Sequence, residues 1–150
     1  MRVVIQRVLE GSVTINNTIH NSIGQGFVVL VGFEESDTED DLLWIAKKIV
    51  DMRIFSDSEG KMNLSIQDVG GEILLISQFT LFASTKKGNR PSFIRSAKPD
   101  IAISLYEKFI EIINSHLPDQ IKTGIFGADM KVALINDGPV TITMDSKDRE

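Results

Sequence analysis

The chain has 150 residues, of which 42% are hydrophobic and 25% charged, and its formal net charge is −5. That length suits one domain, spanning 1–150, with its own hydrophobic core. No apolar run approaches the roughly 18 residues of a membrane helix, and the lack of cysteine excludes disulfides, thiolate nucleophiles and Cys-based metal sites.

The opening "MRVVIQRV" alternates as a strand over residues 2–8. It has no h-region or small-residue cleavage site, so no signal peptide is expected and a cytoplasmic location is the simplest reading. "SVTINNTIHNSI" has two β-rich arms around Asn16-Asn17, and Asn tolerates the positive φ of a tight hairpin. "GFVVLVGF" at 26–33 is a continuous apolar run, the mark of a strand buried on both faces. Gly24 and Gly26 precede a strand rather than a helix, and the third glycine of a dinucleotide fingerprint is missing.

"DTEDDLLWIAKKIVDM" predicts a helix capped by Thr38, with acidic residues in its first turn and an apolar face of Leu42, Ile45, Ala46, Ile49 and Val50. "FSDSEGKMNLS" at 55–65 reads as turn chemistry around Gly60, and "GEILLISQFTLFA" at 71–83 as a strand apolar on both sides. A second helix begins near Pro99, a suitable first helical residue, with a stripe of Ala102, Leu105, Phe109, Ile112, Ile113 and Leu117, and Pro118 stops it. "IKTGIFGADM" predicts a strand and a turn at Gly127, and "KVALINDGPVTITMDS" a final strand. The sum is a single α/β domain: a curved, mostly antiparallel β-sheet or open barrel covered by two amphipathic helices.

Three features bear on chemistry. From Ser77 to Pro99 there is no Asp or Glu, while Lys86, Lys87, Arg90, Arg95 and Lys98 fall inside; the segment is either kept for an anion or is a solvated loop. Ser77, Gln78 and Thr80 bring hydroxyls and an amide to a strand end that feeds this loop, which suits a phosphorylated or RNA-linked ligand, or simply satisfies backbone groups where the strand stops. Gly138-Pro139 interrupts the last strand. Pro gives no N–H to a ladder and Gly weakens a strand interior. Only an X–Pro bond reaches cis for about 0.5–1 kcal/mol. The pair is therefore either a device that aims carbonyls out of the sheet or an inert edge bulge. His20 and His116 have no companions for a metal site or a Ser-His-Asp triad, and no P-loop or G-x-S-x-G occurs. An enzyme built on this chain would work without a general-base histidine.

"SQFTLFA" resembles the Ser-Gln-x-Thr-Leu-x-Ala motif of the D-aminoacyl-tRNA deacylases, once called D-tyrosyl-tRNA deacylases, and "NDGPVT" resembles that family's second motif, which contains a Gly-cisPro pair. "MRVVIQRV", "IGQGFVVLVG", "KKGNRPSF", "TGIFGADMKV" and "VTITMDS" extend the resemblance over nearly the whole chain. The resemblance implies the deacylase-family fold and a homodimer without cofactor or metal. It also implies hydrolysis of the ester joining a D-amino acid, or glycine on alanine tRNA, to the tRNA 3′ end. It makes Gly138 and Pro139 a chirality gate lent to the other subunit. It places Ser77, Gln78, Phe79 and Thr80 around the terminal adenosine and aminoacyl group, with Phe126, Gly127, Ala128 and Met130 on the adenosine side. Lys86, Lys87 and Arg90 are added here as candidate phosphate contacts, because phosphate binding is largely charge-driven.

Main-chain carbonyls beside the α-carbon reject one hand without reading the side chain, and they pass glycine. An aminoacyl ester is already activated and carries a neighbouring 2′-hydroxyl, so positioning and oxyanion hydrogen bonds are the expected contributions, with Ser77, Gln78 and Thr80 supplying them. Thr80 as a nucleophile is the competing mechanism, and it lacks an evident base. Two other functions stay open: an RNA-binding module without catalysis, and a hydrolase of a non-RNA ester.

Overall fold

The computed structural model describes residues 1–149. The first strand runs further than its opening alternation: β1 (Arg2–Ile15) turns at Asn16-Asn17 into β2 (Thr18–Ile23). Both asparagines take left-handed backbone, with φ 50° and 62°, as a two-residue hairpin demands. β3 (Gly26–Gly32) lies antiparallel to the first half of β1, from Arg2↔Gly32 to Val8↔Gly26. β6 (Glu72–Ser77) runs parallel to β3, and β7 (Ile121–Thr123) parallel to β6. β4 (Phe55–Ser56) and β5 (Met62–Leu64) form a separate small hairpin around Gly60, whose φ is 77°, so the segment read as turn chemistry also holds two short strands.

β8 (Lys131–Asp145) pairs with the other side of β1 along nearly its full length. The sheet therefore runs β2-β1-β3-β6-β7, with β8 beside β1. It curls until its ends approach: the Asn21 side-chain amide donates to the Thr123 carbonyl at 2.7 Å, tying β2 to β7. This is the mostly antiparallel, nearly closed barrel with two helices that the sequence predicts.

The curl explains why β3 and β6 are apolar on both faces. Phe27, Val29, Val31, Ile73 and Leu75 face the helices and join one core with Leu42, Ile45, Ile49, Phe109 and Ile113. The alternate residues Val28, Leu74 and Ile76 turn the other way and form a second core with Val8, Val13 and Ile23. A strand with polar residues at every second position would leave one of these cores unfilled.

α1 (Glu39–Asp51) begins at Thr38, whose N–H and hydroxyl both donate to the Asp41 carboxylate, at 2.8 and 3.0 Å. Burial alone would push the Asp41 carboxyl up. The Lys147 ammonium 2.7 Å away, together with Thr38 and Ser146, outweighs it and holds this carboxyl well below the usual range. α2 (Pro99–His116) has Pro99 in its first turn and ends at Leu117, and Tyr106 joins the predicted stripe in the core. No helix among the described residues is long and apolar enough to cross a membrane.

One predicted element is shorter than expected. β6 stops at Ser77, and Phe79–Phe82 forms a 3-10 turn instead of continuing the strand to 83. The ladder ends where the Gln78 N–H donates to the Val31 carbonyl. Leu81 N–H then donates back to Gln78 and Ala83 N–H to Thr80. The apolar residues of "FTLF" continue the strand pattern in sequence, yet Phe82 is the residue buried by the turn while Phe79 is exposed.

Candidate active site

A cleft of about 700 Å³ opens at the C-terminal end of β6, within the range of small-molecule sites. Ser77 and Gln78 line it at the end of β6, and Phe79 opens the 3-10 turn beside them. The end of β3 comes in close because Gly32 has no side chain: a Cβ there would stand 2.8 Å from the Gln78 carbonyl oxygen and 3.2 Å from the Leu81 Cβ. Phe126, Gly127, Ala128 and Met130 line the opposite side, and Gly127 takes the turn there with φ 77°.

Thr80 does not line the cleft itself. It is tied in through Gln78, whose side-chain amide donates to the Thr80 hydroxyl oxygen at 2.5 Å. The hydroxyl therefore fixes the amide that faces the cleft. The Phe79 and Thr80 N–H groups open the turn and so have no carbonyl partner within it. His20 and His116 are both exposed and neither lines the cleft.

Phe126 is backed by Tyr106, with ring centroids 6.0 Å apart. The Tyr106 hydroxyl donates to the Leu75 carbonyl at 2.8 Å, and burial pushes its phenol well above the ordinary range, so it is a neutral structural donor.

Further lining comes from Lys98 of the basic segment and from three residues before it that carry no role in the sequence reading. Phe93, Ile94, Ser96 and Lys98 all line the cleft. Ser96 Oγ donates to the Phe79 carbonyl at 2.9 Å, and Ala97 N–H donates to the Phe33 carbonyl at 2.9 Å, so the segment is pinned at two points. Lys86, Lys87 and Arg90 are exposed and lie outside the cleft, on an excursion closed at its base by paired Ser84 and Ser92 backbones.

Gly138 and Pro139 are not part of this cleft either. They are exposed on β8, and the bond between them is cis. On β1, Gln6 pairs with Thr141 and Val8 with Asn136, so the four residues between bulge out opposite Arg7. Arg7 is 7% exposed. One terminal nitrogen of its guanidinium donates to the Ile54 carbonyl, while Nε lies 3.0 Å from the Asp137 carboxylate. That pair is close enough to attract but is not aligned as a hydrogen bond. Asn136 secures the other end of the bulge: its side-chain oxygen accepts the Val140 N–H at 3.2 Å, and its amide donates to the Thr141 hydroxyl at 3.1 Å. Arg7 is in phase with the buried Val3 and Ile5 of β1, and what the local pattern does not reveal is its distant partners at Ile54 and Asp137.

The family model described as D-Tyr-tRNA(Tyr) deacylase matches residues 4–145. Curated D-aminoacyl-tRNA deacylases of Bacteroides thetaiotaomicron and Flavobacterium johnsoniae are 59% and 57% identical over 150 residues, covering 100% of this chain and of each relative. A solved structure described as a c-Myc DNA unwinding element binding protein superimposes with TM-score 0.92 at 40% identity, covering 97% of this chain and 98% of that one. A structure of a probable eukaryotic D-amino acid tRNA deacylase shares the fold with TM-score 0.79 at 19% identity, covering 95% of this chain and 97% of that one.

Proposed function

The chain belongs to the D-Tyr-tRNA(Tyr) deacylase family, a family of ester hydrolases, and on that premise we propose that it hydrolyses the ester of D-aminoacyl-tRNA and of glycyl-tRNA(Ala) while sparing L-aminoacyl-tRNA. The observation that carries this reading is a cleft whose polar lining near the end of β6 is Ser77 and Gln78, with Thr80 holding the Gln78 amide and no histidine at hand. Such a site suits a substrate that brings its own activation. The terminal adenosine lies on the Phe126–Met130 side. The aminoacyl ester faces Ser77 and Gln78. The backbone N–H of Phe79, the residue of the turn that lines the cleft, receives the developing oxyanion. The ribose 2′-hydroxyl next to the ester assists attack, and Thr80 is a positioning group rather than the nucleophile.

The chirality gate is Gly138-Pro139 of a second subunit. Two features support a contribution in trans. The pair is exposed and lies outside its own chain's cleft, and among the described residues β8 pairs along one edge only, with β1. With the α-amino group and ester held, a D side chain points away from the gate carbonyls, an L side chain runs into them, and glycine passes. Lys86, Lys87 and Arg90 steer the acceptor stem from outside the cleft. The protein acts in the cytoplasm as a homodimer.

Following release of the amino acid from D-tyrosyl-tRNA and L-tyrosyl-tRNA tests the proposal. Rapid loss of the D form alone is expected, and equal rates for the two would overturn it. Salt-sensitive binding without release would favour the RNA-binding alternative.

A further inference from the structure

We propose that Phe93 and Ile94 form a stacking platform for the base immediately 5′ of the terminal adenosine, so that the enzyme reads a single-stranded 3′ end rather than the aminoacyl-adenosine alone. This rests on the tRNA-deacylase reading above and names a further contact of the same site.

The platform is apolar, exposed and rigidly held. Ile94 is 94% exposed, and Phe79 and Phe93 are 54% and 38% exposed. The rings of Phe79 and Phe93 meet edge to face, with centroids 5.2 Å apart and planes at 70°. Segments before and after the pair are fixed: Ser92 exchanges two backbone hydrogen bonds with Ser84, and Ser96 and Ala97 are tied to Phe79 and Phe33. Exposed apolar side chains on a floppy loop would collapse or move; these are held out in place, which lowers the ordering cost of binding.

The surroundings select the occupant. Phe93 and Ile94 line the cleft together with Ser77 and Gln78, and they follow directly in the chain on the excursion carrying Lys86, Lys87 and Arg90, which closes at the Ser84–Ser92 pair. Those three cations pair with no carboxylate among the described residues, and Arg95 and Lys98 reach theirs only at 3.4 and 3.7 Å. An exposed apolar face joined in the chain to cations without carboxylate partners matches a single-stranded nucleic acid, whose bases stack on aromatic faces while its phosphates take the cations.

The test compares two unreactive probes as competitive inhibitors: adenosine carrying an amide-linked D-tyrosine at its 3′ position, and the same group at the end of a CCA trinucleotide. The trinucleotide is expected to inhibit about tenfold more tightly in the unsubstituted protein. Phe93→Ala and Ile94→Ala should each shrink that ratio and Phe93→Trp should keep it, because Trp also offers a stacking face. Equal inhibition by the two probes, or a ratio unchanged in Phe93→Ala, overturns the platform. A ratio that is unchanged while both probes weaken together would show that these side chains serve the fold or a dimer contact. If neither probe inhibits and D-tyrosyl-tRNA itself is not deacylated, the functional reading falls, and the platform with it.

Discussion

The cleft at the end of β6 and the bulge at Gly138-Pro139 are built in opposite ways. Four stretches of one chain, 31–33, 76–79, 93–102 and 126–132, converge on the cleft, and its polar groups are held by close neighbours in the chain, as Thr80 holds Gln78 from just outside it. The bulge is a single four-residue departure from a strand, exposed at its tip and held only from behind, by Arg7 and Asn136. The cleft offers side chains and room. The bulge offers main chain on a rigid mount. Under the proposed function the first binds what all aminoacyl-tRNAs share, and the second senses handedness. The contrast predicts that damage to the two regions will be separable.

The largest effect is expected at the bulge. Gly138 has φ 119°, and a Cβ there would stand 2.9 Å from Val140 Cγ2 and 3.0 Å from an Arg7 terminal nitrogen. Gly138→Ala should displace the gate and admit L-tyrosyl-tRNA, lowering the D-over-L preference by about 100-fold, since an error near 1 Å in a positioned group changes rates by about that much. A melting curve should confirm that the exposed bulge changed while the cores did not. An unchanged preference for the D form would remove the bulge from the account.

On the cleft side, replacing the terminal 2′-hydroxyl of the substrate by hydrogen should cost a comparable factor, whereas Thr80→Ala should leave measurable turnover with a raised KM. Complete loss in Thr80→Ala with normal tRNA binding would instead mark a threonine nucleophile.

A smaller effect, but one on both fold and activity, belongs to Arg7. Arg7→Ala leaves the Ile54 carbonyl and Asp137 without their partner and should destabilise the protein by about 2 kcal/mol, read as a lower Tm, while also loosening the bulge. Arg7→Lys should recover little, because an ammonium cannot serve two directions as a planar guanidinium does.

These expectations also show what the sequence made legible. The doubly apolar β3 and β6, both helices and the Asn16-Asn17 hairpin follow from periodicity and turn chemistry, because each is decided within a few residues. Ser77, Gln78 and Gly138-Pro139 stood out because polar groups at an apolar strand end and Gly-Pro inside a strand break a local pattern. What stayed hidden depends on partners distant in the chain. Arg7 meets residues about 50 and 130 positions away, the 3-10 turn at Phe79–Phe82 imitates a strand in its alternation, and Phe93-Ile94 gain meaning only once Ser96 ties their loop to Phe79.

The smallest effect on catalysis is expected away from both regions. The Asp41 carboxylate is stabilised by Lys147 and Thr38, so its folded-state pKa lies below the ordinary 3.8. Its contribution is present above that value and is lost as pH falls below it. Asp41→Asn should therefore lower the Tm at pH 7, match the unsubstituted protein more closely near pH 2.5, and leave D-aminoacyl-tRNA turnover at neutral pH nearly unchanged.

The division of labour between cleft and bulge is tested most directly by mixing two defective variants: Gly138→Ala, with an intact cleft that has lost its selectivity, and Gln78→Ala, with a damaged cleft and an intact bulge. If one subunit's bulge gates the other's cleft, random exchange of equal amounts gives about half of the intact clefts an intact gate, and hydrolysis of L-tyrosyl-tRNA by the Gly138→Ala subunits should fall by about half while that of D-tyrosyl-tRNA persists. No fall, in a mixture shown to contain mixed dimers, would contradict a gate supplied across the subunits.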